Sequence, residues 1–139
     1  MSNKYLLNIS ITPVQEFIAE ARKTRDLWIG SYLLSFITFK ALEPFINNKN
    51  CEIIYPAYEK SPFCKRETTN HYSDAELQVA SLPNHFLVIV PENDLEKLVI
   101  ESKDNFEKYW IEKTQKVKNQ IKNLLSELDS NWDFLWMIK

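Results

Sequence analysis

Residues 12–35 read TPVQEFIAEARKTRDLWIGSYLLS, and the way this stretch begins decides how the rest of the chain folds. Directly before it, residues 5–11 (YLLNISI) alternate loosely, with Leu7, Ile9 and Ile11 on one face, as a half-buried strand does. Thr12 then offers a capping hydroxyl, and Pro13 brings a fixed φ suited to a first helical position. Gln15 and Glu16 lie close to the place a capping box needs. A strand therefore passes straight into a helix. Val14, Phe17, Ile18 and Ala21 continue it as an apolar stripe at i, i+3, i+4 and i+7. Gly30 is the only glycine of the chain, and a glycine costs about 1 kcal/mol in a helix interior. The pattern thus predicts a kink or break over residues 27–31, then a second helical piece over 32–45.

Working outward, NNKN at 47–50 is a turn and CEIIY at 51–55 a short apolar strand closed by Pro56. Residues 57–82 lack a sustained period and predict a long loop with a helical turn at 73–79, a length that usually marks a functional or mobile segment. Residues 85–90, HFLVIV, form the best strand signal, a continuous apolar run between Pro83 and Pro91. Asn93 or Asp94 then caps a long helix over 95–128. Its apolar stripe includes Leu95, Leu98, Val99, Phe106, Val117 and Leu124, and seven Lys lie on or beside its polar face. A solvated face explains those lysines, and the interspersed acids weaken any case for RNA. The tail, 129–139, supplies a last strand or turn. The order is βαββα, or βαββαβ if the tail pairs. The economical architecture is an α+β, ferredoxin-like antiparallel sheet with two long helices on one face and strands one and three in the centre.

Composition narrows the function. A chain of 139 residues with 45% apolar and 26% charged residues is expected to form one globular domain, residues 1–139. The net charge is −2, with six Lys/Arg against four Asp/Glu in residues 1–50 and eleven against fifteen beyond, so no general basic field for nucleic acid exists. Cys51 and Cys64, without CxxC spacing, read as reduced thiols. No signal-peptide layout or long uninterrupted apolar run is present, so a cytoplasmic chain without a membrane partner is expected. One glycine excludes a P-loop, a dinucleotide fingerprint and a nucleophile elbow. His71, His85, Cys51 and Cys64 lack metal-ligand spacing. No catalytic constellation is visible, and no metal site is expected.

Two groups inside the opening stretch remain candidates. Arg22 and Asp26, with Arg25 between them, make an i, i+4 pair on a continuous helix. They form either a surface ion pair worth a few tenths of a kcal/mol or a bidentate clamp for phosphate or carboxylate. Trp28, Gly30 and Ser31 permit close approach of a neighbouring helix or of a ligand.

The residues also carry a resemblance. Pro13-Val14-Gln15, Phe17-Ile18, Ala21-Arg22, Thr24-Arg25-Asp26-Leu27-Trp28 and Gly30-Ser31, with Leu33-Leu34-Ser35, fit the pattern PVQ-x-FI-x-x-AR-x-T-RDLW-x-GS-x-LLS. Ile53 to Ala57 (IIYPA) and SLPNHFLVIVP at 81–91 fit later blocks in the same order. The chain resembles, over nearly all its length, the first palm-like domain of the Cmr-type large, cyclase-related subunit of type III-B CRISPR effector complexes. The resemblance implies a ferredoxin-like palm that faces a second palm, with ATP between them polymerised into cyclic oligoadenylate. It implies nucleotide or inter-palm contact for Gln15, Arg22, Arg25, Asp26 and Ser31, helped by helix N-terminal N–H groups, and packing roles for Phe17, Trp28 and Gly30. Its implied partners are the second palm, the other effector subunits and, indirectly, the CRISPR RNA. The sequence departs from a whole subunit in having no His-Asp dipeptide and no GGDD, so no activity is expected of it alone. Two alternatives stay open: a purely structural interaction domain, and self-association through an exposed inter-palm surface.

Overall fold

The computed structural model describes residues 3–63 and 80–124. Most of the long loop expected at 57–82, including His71, Cys64 and the helical turn at 73–79, lies outside the described residues, as does the tail 129–139. The chain divides into two compact units, Met1–Phe106 and Glu107–Lys139.

The first unit opens with β1 (Lys4–Ser10), α1 (Val14–Ala19) and α2 (Thr24–Asn47). β2 (Glu52–Tyr55), a 3-10 turn (Tyr58–Lys60) and β3 (His85–Pro91) follow, and α3 (Glu92–Leu124) begins at once, its residues 92–106 belonging to this unit. The sheet order is β1-β3-β2, and both pairings are antiparallel. The continuous apolar run is thus the central strand, as its composition requires. β1 borders the described sheet rather than sitting centrally as expected; the last strand or turn expected at 129–139 lies outside the described residues.

Register decides which side chains form the core. Ile9 faces Phe86 across the β1–β3 ladder, Leu7 faces Val88, and Ile53 faces Val88 from the other side. These side chains share one sheet face, since alternate residues point the same way. Phe86, Val88 and Val90 are fully buried there beneath Ala41, Leu42 and Phe45 of α2 and Leu98 of α3. Each such side chain contributes about 1.5–3 kcal/mol by leaving water. A smaller cluster, Phe39, Phe63 and Leu82, extends it along α2. The architecture is α+β with a three-stranded antiparallel sheet and two long helices on one face, compatible with a ferredoxin-like palm.

The helical stretch breaks earlier than expected. α1 stops at Ala19, Lys23 is extended (φ −135°, ψ 155°), and α2 then runs unbroken for 24 residues through Gly30. The Gly30 penalty is small against the packing of the helix that contains it. Pro13 occupies the N-cap position of α1, with no side-chain cap, one place earlier than the sequence suggested.

Pro44 lies inside α2 and removes the N–H that would bond the carbonyl four residues back, at Lys40. That carbonyl instead accepts a bond from the Asn105 amide of α3 at 3.3 Å, and the neighbouring Ala41 carbonyl accepts one from Ser102 Oγ at 2.7 Å. Two polar side chains in the stripe of α3 that faces the core therefore supply donors where the proline withdraws one.

α3 starts three residues before the expected position, its first N–H (Glu92) donating to the Asn3 carbonyl at 2.9 Å. Asp94 accepts from Asn48 Nδ2 at 3.1 Å instead of capping the helix. Leu98 is buried, but Val99 and Val117 of the expected stripe are exposed. In the second unit the described residues, 107–124, are helical throughout. There Thr114 Oγ1 donates to the Trp110 carbonyl at 2.9 Å, and Gln115 Nε2 to Asn119 Oδ1 at 2.9 Å.

Candidate functional site

The candidate residues lie on an elbow made of α1, the connector 20–23 and the first half of α2. Its base is fixed where two sequence blocks meet. Ile11 N–H donates to the Asn84 carbonyl at 2.8 Å, and Asn84 Nδ2 donates to the Ile11 carbonyl at 3.1 Å. The amide of the Pro83-Asn84 pair thus holds the end of β1 just before the chain turns into α1.

The elbow leaves the core. α2 has buried side chains only from Ser35 to Phe45. Gln15, Arg22, Arg25 and Asp26 are all exposed, and Ser31 is half-buried. Arg22 and Asp26 do not share a helix face: Arg22 lies in the connector, whereas Arg25 and Asp26 stand in the first turn of α2. The i, i+4 pair requires a continuous helix, and the break at Lys23 removes it. The Ser31 hydroxyl donates to the Leu27 carbonyl at 3.0 Å, a bond back into its own helix that uses its proton. Basic groups at 22, 23 and 25 are matched by acids at 16, 20 and 26, so the elbow carries no net charge.

Phe17 and Gly30 do meet. A Cβ built on Gly30 would stand 3.4 Å from Phe17 Cε1, so the small residue seats the α1 ring against α2. Trp28 stacks on Tyr32, with centroids 5.8 Å apart and planes 21° apart. Tyr32 in turn meets Phe63 edge-on at 5.5 Å, tying the Trp28 stack to the second core cluster. Leu27, Trp28 and Ile29 are nonetheless 42%, 45% and 45% exposed. The sequence singled out Trp28 but not its neighbours. Three consecutive large apolar residues in a helix cover too wide an arc to be buried on one face, which was the available signal.

Two cavities lie elsewhere. One, of about 310 Å³, sits under the end of β1 and is lined by Ile9, Ile11, Ala41, Val99 and Phe106, with Ser102 and Lys103. The other, of about 470 Å³, lies between the end of α2 and α3, with Glu43, Asn47, Lys97, Glu101 and Asn105. Neither of these two is lined by Gln15, Arg22, Arg25, Asp26 or Ser31. Among the described residues no group of three or more His, Cys, Asp or Glu is placed to hold a metal ion. His85 stacks on Tyr55 at 5.0 Å. Cys51 is half-buried; burial pushes its thiol above the ordinary value, and the Asp94 carboxylate adds to the shift.

The profile of the family described as CRISPR-associated protein Cmr2, N-terminal, matches residues 6–128. This chain belongs to the Cmr2 N-terminal family. The elbow, the Asn84 clamp and all of α3 fall inside the matched region. The chain is also similar to the CRISPR system Cmr subunit Cmr2 of Pyrococcus furiosus, 39% identical over 108 residues, which is 77% of this chain and 12% of that protein. Similarity to the corresponding Cmr2 subunit of Saccharolobus solfataricus is 38% over 60 residues, 42% of this chain and 6% of that protein. The chain therefore spans only a small part of the curated Cmr2 subunits it matches.

Proposed function

We propose that this Cmr2 N-terminal domain is a palm-like module of a type III-B CRISPR effector large subunit and forms one side of an ATP site shared with a second palm. The observation that carries this reading is family membership over 6–128 combined with an elbow whose polar residues are free to face a neighbour. Arg22 and Arg25 offer planar donors suited to phosphate oxygens, and Gln15 an amide for base or ribose. Asp26 would meet a partner group across the same surface. The second palm would bring the carboxylates that hold Mg²⁺, which supplies charge neutralisation at the phosphates. The module alone makes no cyclic oligoadenylate on this reading, and its partners are the rest of the large subunit and other effector subunits.

Calorimetric titration of ATP with Mg²⁺ tests it, on this chain alone and on the chain mixed with a second-palm fragment. Binding to the pair and not to the chain alone supports a shared site, and Arg25→Ala should then weaken ATP at least tenfold. Synthesis of cyclic oligoadenylate by the chain alone would contradict it.

A second reading, an interaction domain without nucleotide contact, is favoured by two observations. Ser31 spends its hydroxyl proton on Leu27, and the break at Lys23 separates Arg22 from Asp26. ATP affinity unchanged by Arg25→Ala, in a pair shown to associate, selects this second reading.

A further inference from the structure

The helices cover one face of the sheet, and the opposite face carries side chains that the core does not use. His85, Leu87 and Ile89 alternate with the buried Phe86, Val88 and Val90, so they lie on that second face, each half-buried. Register sets their neighbours. Leu87 is flanked by Asn8 on β1 and by Tyr55 on β2, and His85 by Ser10. Asn8 and Tyr55 therefore stand two inter-strand spacings apart, about 10 Å, with Leu87 as the floor between them. The Tyr55 ring stacks on His85, with centroids 5.0 Å and planes 25° apart, yet Tyr55 is still 40% exposed. One side of this strip is thus a wall of two aromatic rings. The other is the amide of Asn8 and the hydroxyl of Ser10, both exposed.

The chemistry selects a planar, uncharged ring. Lys4 and Glu52, which pair with Pro91 and Ile89 towards the other end of the face, offset each other. A nucleic-acid strand needs a run of cations along its backbone, and the face has none. A single nucleobase fits, because open sheets stack unpaired bases on their aromatic residues, a contact that tolerates every base. An asparagine amide supplies the choice: its Nδ2 donates to adenine N7 while its Oδ1 accepts from the N6 amino group. Guanine presents the acceptor O6 in place of that amino group.

Position joins the strip to the elbow. Ser10 ends β1, Tyr55 ends β2 and His85 begins β3. All three stand at the end of the sheet where Ile11 is clamped to Asn84 and the chain turns into α1. We propose that this open face seats an adenine base over Leu87, stacked against the Tyr55–His85 pair and read by Asn8. The inference rests on the shared ATP site and adds its base pocket: Arg22 and Arg25 take the phosphates, and Gln15 is left for the ribose.

Calorimetry on this chain paired with a second-palm fragment tests it, with ATP, GTP and inorganic tripolyphosphate as probes, each with Mg²⁺. Tyr55→Ala should weaken ATP at least about fivefold and leave tripolyphosphate unchanged, whereas Arg25→Ala should weaken both. Tyr55→Phe, which keeps the ring, should bind ATP within about twofold of wild type. Wild type should prefer ATP to GTP at least about tenfold, and Asn8→Ala should cut that preference below about threefold. Asn8→Ala, on an exposed strand position, serves as the independent variant should Tyr55→Ala lower the melting temperature. ATP affinity indifferent to Tyr55→Ala, an equal loss of tripolyphosphate, or no preference for ATP in wild type overturns the base pocket and leaves the shared site standing. Loss of association with the second palm in Tyr55→Ala also overturns it, since the face is then a protein contact. No ATP binding by the wild-type pair overturns the base pocket and the shared site together.

Discussion

Ser35 and Leu82, 47 residues apart, are joined by two hydrogen bonds through one hydroxyl: Ser35 Oγ donates to the Leu82 carbonyl at 2.6 Å and accepts from the Leu82 N–H at 3.0 Å. Ser35 is 1% exposed and Leu82 8%, so no water replaces either bond. Both backbone groups of Leu82 thereby find partners on the helix they pack against.

Ser35→Ala should therefore destabilise the chain by about 1–3 kcal/mol, the cost of leaving buried backbone groups unpaired. Urea unfolding monitored by circular dichroism measures it. A change below about 0.5 kcal/mol would mean that the Leu82 backbone finds another partner.

Phe86→Ala empties the centre of the sheet beneath Phe45, whose ring lies 5.7 Å away. The expected loss is about 3–5 kcal/mol. Leu6→Ser, on a strand position 66% exposed, should cost less than about 0.5 kcal/mol. Equal effects of the two would contradict the register given for β1 and β3.

Gly30→Ala should be neutral or stabilise by up to about 1 kcal/mol. Gly30 is in a helix interior, where alanine is intrinsically better, and the new Cβ meets only the edge of Phe17 at 3.4 Å. Gly30→Leu, in contrast, must displace Phe17 and should loosen α1. Exchange rates of the α1 amides distinguish the two variants.

The Pro44 and Asn105 pair predicts non-additivity. Asn105→Ala alone strips the Lys40 carbonyl of its donor and should cost about 1 kcal/mol or more. In a Pro44→Ala background the restored N–H bonds the same carbonyl, so the Asn105→Ala cost should shrink. A double-mutant cycle with no coupling energy would remove this account of Pro44.

Cys51 sets a pH dependence. Its thiol is raised by burial first and by Asp94 second, so the folded state favours the protonated form. Its contribution to stability holds at neutral pH and falls as the pH rises through the raised folded value. Peptide-resolved iodoacetamide labelling near pH 8.5 should find Cys51 slower than an unhindered thiol, and Asp94→Asn should speed it. Labelling at the rate of a model thiol would refute the shift.

Much of this fold was legible. Alternation in 5–11 and the unbroken apolar run HFLVIV between two prolines named two strands, because side-chain direction has a period of two and a short bounded apolar run suits a strand. The break after Ala19 was not legible. Glu20, Ala21, Arg22 and Lys23 are good helix formers, and nothing local stops a helix there. The register of α2 is set downstream, by burial of Ser35 to Phe45, and the connector takes whatever conformation joins the two. The end of α2 was legible to within two residues: the second helical piece was expected to stop at 45, and the helix continues through Pro44 to Asn47. Of the candidate site, the residue types were readable, and so was the apolar excess at 27–29. The loss of the Arg22–Asp26 pairing was not, since it depends on that hidden break.

α2 carries the exposed Trp28 and the buried Phe45 on one uninterrupted rod. Anything that grips the Trp28 end therefore also grips the core, without a joint between them to absorb the strain. By mass action, a partner that binds only the folded Trp28 end must raise the melting temperature of the whole first unit as its concentration rises. Conversely, core lesions such as Phe86→Ala should weaken such binding in proportion to the folded fraction they remove. Thermal denaturation thus becomes a reporter for binding at a surface more than four helical turns away, 17 residues at about 1.5 Å each.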